Sequence, residues 1–263
     1  MSAFLKILGY RLREGMRARP ILGYAALLLV FTDLLFRFGG DGPRVVLSLI
    51  NVVLLLVPLV GLVFGTMYFH QARDFAQFLL AQPVGRRPLL AALYFGLALP
   101  LTVAFVAGVG LPFLWHAAPA PDLWRPLAAL LVVGVLLTLS ATALALVVAV
   151  AVLDRAKGLA LALLAWVAGA VLFDGALLLI TVLFDRWPLE RLLLGLTLFD
   201  PFDLGRVLLL LQLDHSALLG YTGALFATFF GGVAGAVVAG AALLGWTAAP
   251  LGAAFRIYAH RDL

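Results

Sequence analysis

Residues 126–153 read PLAALLVVGVLLTLSATALALVVAVAVL, with no charged side chain anywhere in the stretch. A helix rises about 1.5 Å per residue, so a run of about 20 apolar residues already crosses the hydrocarbon core of a bilayer. The apolar residues are continuous and do not alternate, which favours a spanning helix over a barrel strand. Five further runs of the same kind flank this one, at 21–38, 45–69, 89–115, 159–184 and 222–249. The reading is therefore an all-α polytopic membrane protein: six transmembrane helices in a single transmembrane domain over 1–263, with register set by the tight links 39–44 and 154–158.

Composition agrees. The 263 residues are 65% hydrophobic and 12% charged, against about half apolar and about a quarter charged in soluble domains. That much apolar surface needs lipid as its solvent. The net charge of +5 points to anionic headgroups as partners and not to nucleic acid, because the basic residues lie mostly between the apolar runs. With the N-terminus inside, twelve Lys and Arg fall on cytoplasmic pieces and six on external ones, a bias that sets N-in and C-in. The location implied is the inner (plasma) membrane. The N-terminus lacks the short apolar stretch and small-residue cleavage site of a removable signal peptide. Cysteine is absent, so disulfides and thiolate metal sites are excluded.

Residues 1–20 read as an interfacial helix. Leu5, Leu8, Leu12 and Met16 share one face, and Lys6, Arg13 and Arg17 the opposite one. Between the second and third spans, residues 70–88 read HQARDFAQFLLAQPVGRRP. Asp74 to Leu80 form two helical turns with Phe75, Phe78 and Leu79 on one side, ended by Pro83 and Gly85. This is either a cytoplasmic coupling segment that receives force from a partner or a solvated re-entry turn. The external segment 185–221 is rich in leucine, with Asp200 as a helix cap and Pro201 and Asp203 in a first turn. Two short helices are expected there, dipping into the outer leaflet or offering a docking surface.

Charged groups inside spans carry a functional hypothesis by default. Asp174 lies near the middle of the fifth span without a partner on its own helix. Asp33 and Arg37 are four apart and pair near the outer end of the first. Asn51 is a candidate for interhelical hydrogen bonding in the second span. Gly231, Gly235 and Ala239 form a small-residue stripe in the sixth. His70, His116, His215 and His260 divide between the two sides and cannot converge on one metal. No cofactor site is legible. No phosphate-binding loop is present and neither lysine follows the required glycines. The chain is read as non-catalytic, with any ATP hydrolysis in a separate chain.

Three stretches carry a resemblance. They are FLLAQPVGRR at 78–87, DRAKGLAL at 154–161 with LFDGALLL at 172–179, and FDPFDLGRV at 199–207. With the order of elements, they resemble the permease subunits of ABC-2 type transporters, and more narrowly the NosY-like permeases associated with nitrous-oxide reductase maturation. In the last stretch Pro201, Asp203 and Arg206 match, and Asp200 replaces the usual Asn. The resemblance implies a homodimer whose coupling segments sit on a cytoplasmic ABC ATPase, with Phe75, Phe78 and Leu79 as anchors and Arg73, Asp74 and Arg86 orienting the contact. It also implies a periplasmic partner protein at the external segment and support for assembly of the copper–sulfur centre of nitrous-oxide reductase. An exporter of drug, lipid or polymer, a secondary transporter and a membrane scaffold remain the alternatives.

Overall fold

The apolar runs fold as long helices in the computed structural model, which describes residues 3–80, 85–116, 121–184, 190–212 and 233–260. In chain order the helices are α1 (Ala3–Arg17), α2 (Arg19–Gly39), α3 (Gly42–Gln71), α4 (Arg73–Leu80), α5 (Arg86–His116), α6 (Pro121–Ala151), α7 (Arg155–Val167), α8 (Phe173–Leu183), α9 (Glu190–Thr197), α10 (Pro201–Gln212) and α11 (Val233–His260), with a π-helical turn at Ala168–Leu172 joining α7 to α8. No strand occurs among the described residues. Among the described residues six helical stretches are long and apolar enough to cross a bilayer: Arg19–Phe38, Gly42–Gln71, Arg86–His116, Leu123–Ala151, Arg155–Leu183 and Gly235–His260.

The centre of the bundle is the pair α3 and α6. Leu49, Val53 and Leu62 of α3 and Leu130 and Leu137 of α6 are fully buried. The two backbones come unusually close because small residues meet there. A carbon added to Gly61 would stand 2.7 Å from the Ala141 methyl, and one added to Gly65 would stand 2.8 Å from that of Ala145. Small residues four apart allow this approach, which lets dispersion hold helices together where no hydrophobic effect acts between them. α5 joins through Tyr94, whose hydroxyl donates to the Leu139 carbonyl at 2.9 Å. α11 joins through Ser140, which lies 3.0 Å from the Thr247 hydroxyl.

α1 packs along α5, where Gly15 and Gly96 make the crossing tight. Its buried residues are Arg11 and Gly15, while Leu5 and Met16 point away from the bundle, toward the environment a helix at the headgroups would meet.

One boundary extends well past the sequence expectation. The sixth helix, described from Val233, continues to His260 and not only to 249, because Leu251, Phe255, Ile257 and Tyr258 carry the core-facing stripe past Pro250. Residues 222–232, with Gly231 and Gly232 of the expected stripe, lie outside the described residues, as do 81–84 of the coupling segment and 185–189 and 213–221 of the external one. A tight small-residue contact falls on α3 and α6, and in the sixth helix Gly235 and Ala239 of the expected stripe are buried as well.

Gly65→Ala is expected to destabilise the purified protein by about 1–3 kcal/mol through overpacking. Ala145→Gly should restore most of that loss. Gly110→Ala, which faces open space, should cost little. Thermal unfolding in detergent reads all three.

Candidate functional site

The short helix α4 is joined to the bundle at three points. First, α3 and α4 share Ala72, whose N–H donates to the Tyr68 carbonyl at 2.9 Å and whose carbonyl accepts from Ala76 at 2.9 Å. Second, Arg73 turns inward to the end of α6. Its guanidinium donates to the carbonyls of Leu153 at 2.6 Å and Val152 at 2.7 Å, and to that of Ala149. The last carbonyls of a helix have no partner within it, and a cation there also meets the negative end of the helix dipole. Third, Phe75 is covered by α1. The Arg11 guanidinium lies 4.1 Å from the Phe75 ring centre, and Tyr10 stacks on the same ring. Arg11 is 6% exposed and pairs with Glu14 at 2.8 Å.

His70 supports this joint from the last turn of α3. Its Nδ1 lies 2.7 Å from the Thr66 carbonyl and its Nε2 3.1 Å from that of Val152. Gly158, in the first turn of α7, packs against the imidazole ring. Asp154 caps that helix by accepting from the Lys157 N–H at 2.8 Å, which holds its carboxyl below the usual carboxylate range. The cap is therefore complete at neutral pH and is lost on strong acidification. α4 thus reaches α3, α6 and α1 at once, and α7 through His70.

One side of α4 remains uncovered. Asp74 and Gln77 are exposed, and Phe78 is 67% exposed. These residues stand three and four apart, on one face. Leu79 packs partly into the core. Arg86, at the start of α5, donates to the Ala259 carbonyl at the end of α11 at 3.1 Å. Of the six residues expected to meet a partner, Asp74 and Phe78 face outward, whereas Arg73, Phe75, Leu79 and Arg86 contact this chain's own helices.

A second constellation lies deep in the bundle. α9 and α10 form a re-entrant hairpin. Phe202 packs against Gly169, near the midpoint of the fifth span, and Trp246, near the midpoint of the sixth, donates to the Leu198 carbonyl at 3.0 Å. Gly205 rests on Leu54, Val133 and Leu137. Leu54 is twelve residues into α3, about 18 Å along it. Asp200 caps α10 at the tip, accepting from the N–H groups of Phe202 at 3.3 Å and Asp203 at 3.4 Å. One turn on, Arg206 forms an ion pair with Asp174 of α8. The π turn widens the fifth span where Phe202 enters.

The outcome for the external residues is a correction. Asp200, Pro201 and Asp203 are buried and Arg206 is half-buried, so they do not form an outward docking surface. The run 201–209 is apolar on enough sides to enter the bundle, and its polar groups find partners there. Asp174 gains the partner its own helix lacked. Asp33 and Arg37 pair as expected, at 2.7 Å, and His116 joins them 3.3 Å from Asp33. Asn51 is exposed on the flank of α3. Among the described residues no group of three His, Asp or Glu is placed to hold a metal. Arg11 and His70 escaped the sequence reading. The signal for Arg11 is its place between Ile7 and Gly15 on the buried side of α1, a charge within a packing stripe.

These features define a multi-pass, all-α membrane protein with a short helix bolted to one end of its bundle and a re-entrant hairpin entering from the other. The six candidate spans are compatible with a membrane transporter subunit. No protein-family model and no curated protein matches the chain.

Arg73→Met is expected to destabilise the protein by about 1.5–3 kcal/mol, the worth of hydrogen bonds made by a charged group. Thermal unfolding in detergent reads it. Asp174→Asn and Arg206→Met should each cost about 1–3 kcal/mol by leaving one charge unpaired, with the double variant costing less than their sum. A double-mutant cycle on the same measurement gives the coupling.

Proposed function

We propose that this chain is the permease subunit of an ABC-2 type transporter, working as a homodimer with a separate cytoplasmic ATPase. The observation that carries the reading is the uncovered Asp74–Gln77–Phe78 face of α4. An exposed aromatic on a short helix, beside two polar residues, suits a groove on a partner that closes around it. The remaining sides of α4 are fastened to α3, α6 and α1. A push on Phe78 would therefore move the central pair and the α1–α5 flank together, which suits a two-state rocking of the bundle. ATP-driven closure of the partner supplies the free energy that separates the two states, a matter of a few kcal/mol.

Two features support a second copy of the chain. No residue in the most apolar window of the fifth span is buried. Asn51 exposes its amide one turn from Leu55, whose carbonyl accepts from Trp166 of the fifth span at 3.0 Å. An amide facing acyl chains is costly, and a neighbouring helix would satisfy it. The stretches at 78–87, 154–179 and 199–207 support the narrower reading, a NosY-like permease serving assembly of the copper–sulfur centre of nitrous-oxide reductase. With residues 200–205 buried, a periplasmic partner would sense the hairpin through its outer ends and not through Asp200 or Asp203.

Phe78→Asp tests the proposal cleanly, because an exposed residue can be changed without opening the core. With a co-expressed ABC-type ATPase subunit, the wild-type chain should copurify and hydrolyse ATP. The variant should lose copurification and at least tenfold of the hydrolysis while its own melting temperature stays unchanged. Full copurification and hydrolysis with Asp at 78 would sink the reading.

A further inference from the structure

Between the start of α5 and the end of α11 lies a cleft of about 540 Å³, lined by Arg87, Pro88, Ala91, Phe255, Arg256 and His260. Its composition is sharply divided. Ala91 and Phe255 are half-buried and form an apolar floor. Arg87, Arg256 and His260 are exposed at its mouth. Arg87 is the second residue of α5 and His260 the last of α11, so the mouth lies at the end of two membrane-crossing helices, at headgroup level. Among the described residues no carboxylate forms an ion pair with Arg87 or Arg256. The cleft is held in shape by Arg86, which donates across it to the Ala259 carbonyl at 3.1 Å.

We propose that this cleft is a binding site for one anionic phospholipid, phosphatidylglycerol-like, with its phosphate on Arg87 and Arg256 and an acyl chain along Ala91 and Phe255. Guanidinium groups match phosphate oxygens in pairs, and their fork geometry favours phosphate over a point contact. Two such groups above an apolar floor at a membrane boundary fit the two halves of a lipid and no wholly soluble anion, which would leave the floor wetted. Basic clefts between the ends of transmembrane helices are where charged headgroups are held. The cleft also lies on the face that carries twelve of the chain's eighteen basic residues under the N-in orientation, the side where anionic lipid and positive charge meet. The bound lipid would wedge α11 against α5 beside the α4 joint. The proposal rests on the membrane reading and does not need an ATPase partner.

The experiment uses the full chain purified in a mild detergent. Native mass spectrometry would follow retention of phosphatidylglycerol, with phosphatidylcholine of the same acyl chains as the zwitterionic control. Wild-type protein should retain phosphatidylglycerol at least tenfold better than phosphatidylcholine. The Arg87→Gln/Arg256→Gln double variant should lose that preference, and Arg13→Gln/Arg17→Gln, which removes the same charge from α1, should keep it. An unchanged melting temperature in the absence of added lipid shows that the double variant folds. If it does not fold, Arg87→Ala and Arg256→Ala taken singly should each lower retention. Equal retention of both lipids by wild type, undiminished retention by the variants, equal loss from the α1 control, or displacement of the lipid by millimolar inorganic phosphate would overturn the proposal.

Discussion

No hydrogen-bonding solvent reaches the middle of a bilayer, so every backbone N–H and C=O placed there must find its partner in the protein. Most are satisfied by staying helical. The informative places are those where the helix stops. At the α9–α10 tip the chain turns near mid-depth, and side chains satisfy groups the turn frees: the Leu198 carbonyl takes the Trp246 indole, and the Phe202 and Asp203 N–H groups take the Asp200 carboxylate. At the end of α6 the loose carbonyls take Arg73 and His70. The same demand that forbids irregular backbone in lipid thus accounts for the places of Asp200, Trp246, Arg73 and His70.

These satisfactions are also mechanical connections. Arg73 belongs to α4 but closes α6. Trp246 belongs to the sixth span but closes the hairpin. Arg11 belongs to α1 but lies on Phe75 of α4. A hydrogen bond or cation–π contact between elements transmits displacement only if both sides are otherwise well held. Here the dense α3–α6 contact, made by Gly61 and Gly65 against Ala141 and Ala145, supplies the rigid reference. The loosely covered parts are the fifth span and the outward faces of α2 and α11, which leaves room for a second copy, lipid or both.

Six helices and their order were legible because a spanning run is a local property: about 20 residues without charge suffice, whatever the rest of the chain does. The Asp33–Arg37 pair was legible for the same reason, since four residues on a helix bring two side chains together without help. The sixth helix ended later than expected because Leu251, Phe255, Ile257 and Tyr258 pack on the core beyond the uncharged run, which only the tertiary structure shows.

The amino-acid sequence alone determined that this is a helical protein solvated by lipid, with a phenylalanine-bearing link of helical spacing after its second span and a charge within its fifth. Those follow from composition and period, which act over a few turns. Only the tertiary structure decided what the charges face. Arg206 lies thirty-two residues from Asp174, and Arg73 lies eighty from Leu153. Partners that far apart are chosen by how helices pack and not by any local preference. That is why the residues read as an external docking surface proved to be the buried tip of a hairpin, and why four of the six expected to reach outward contact this chain's own helices.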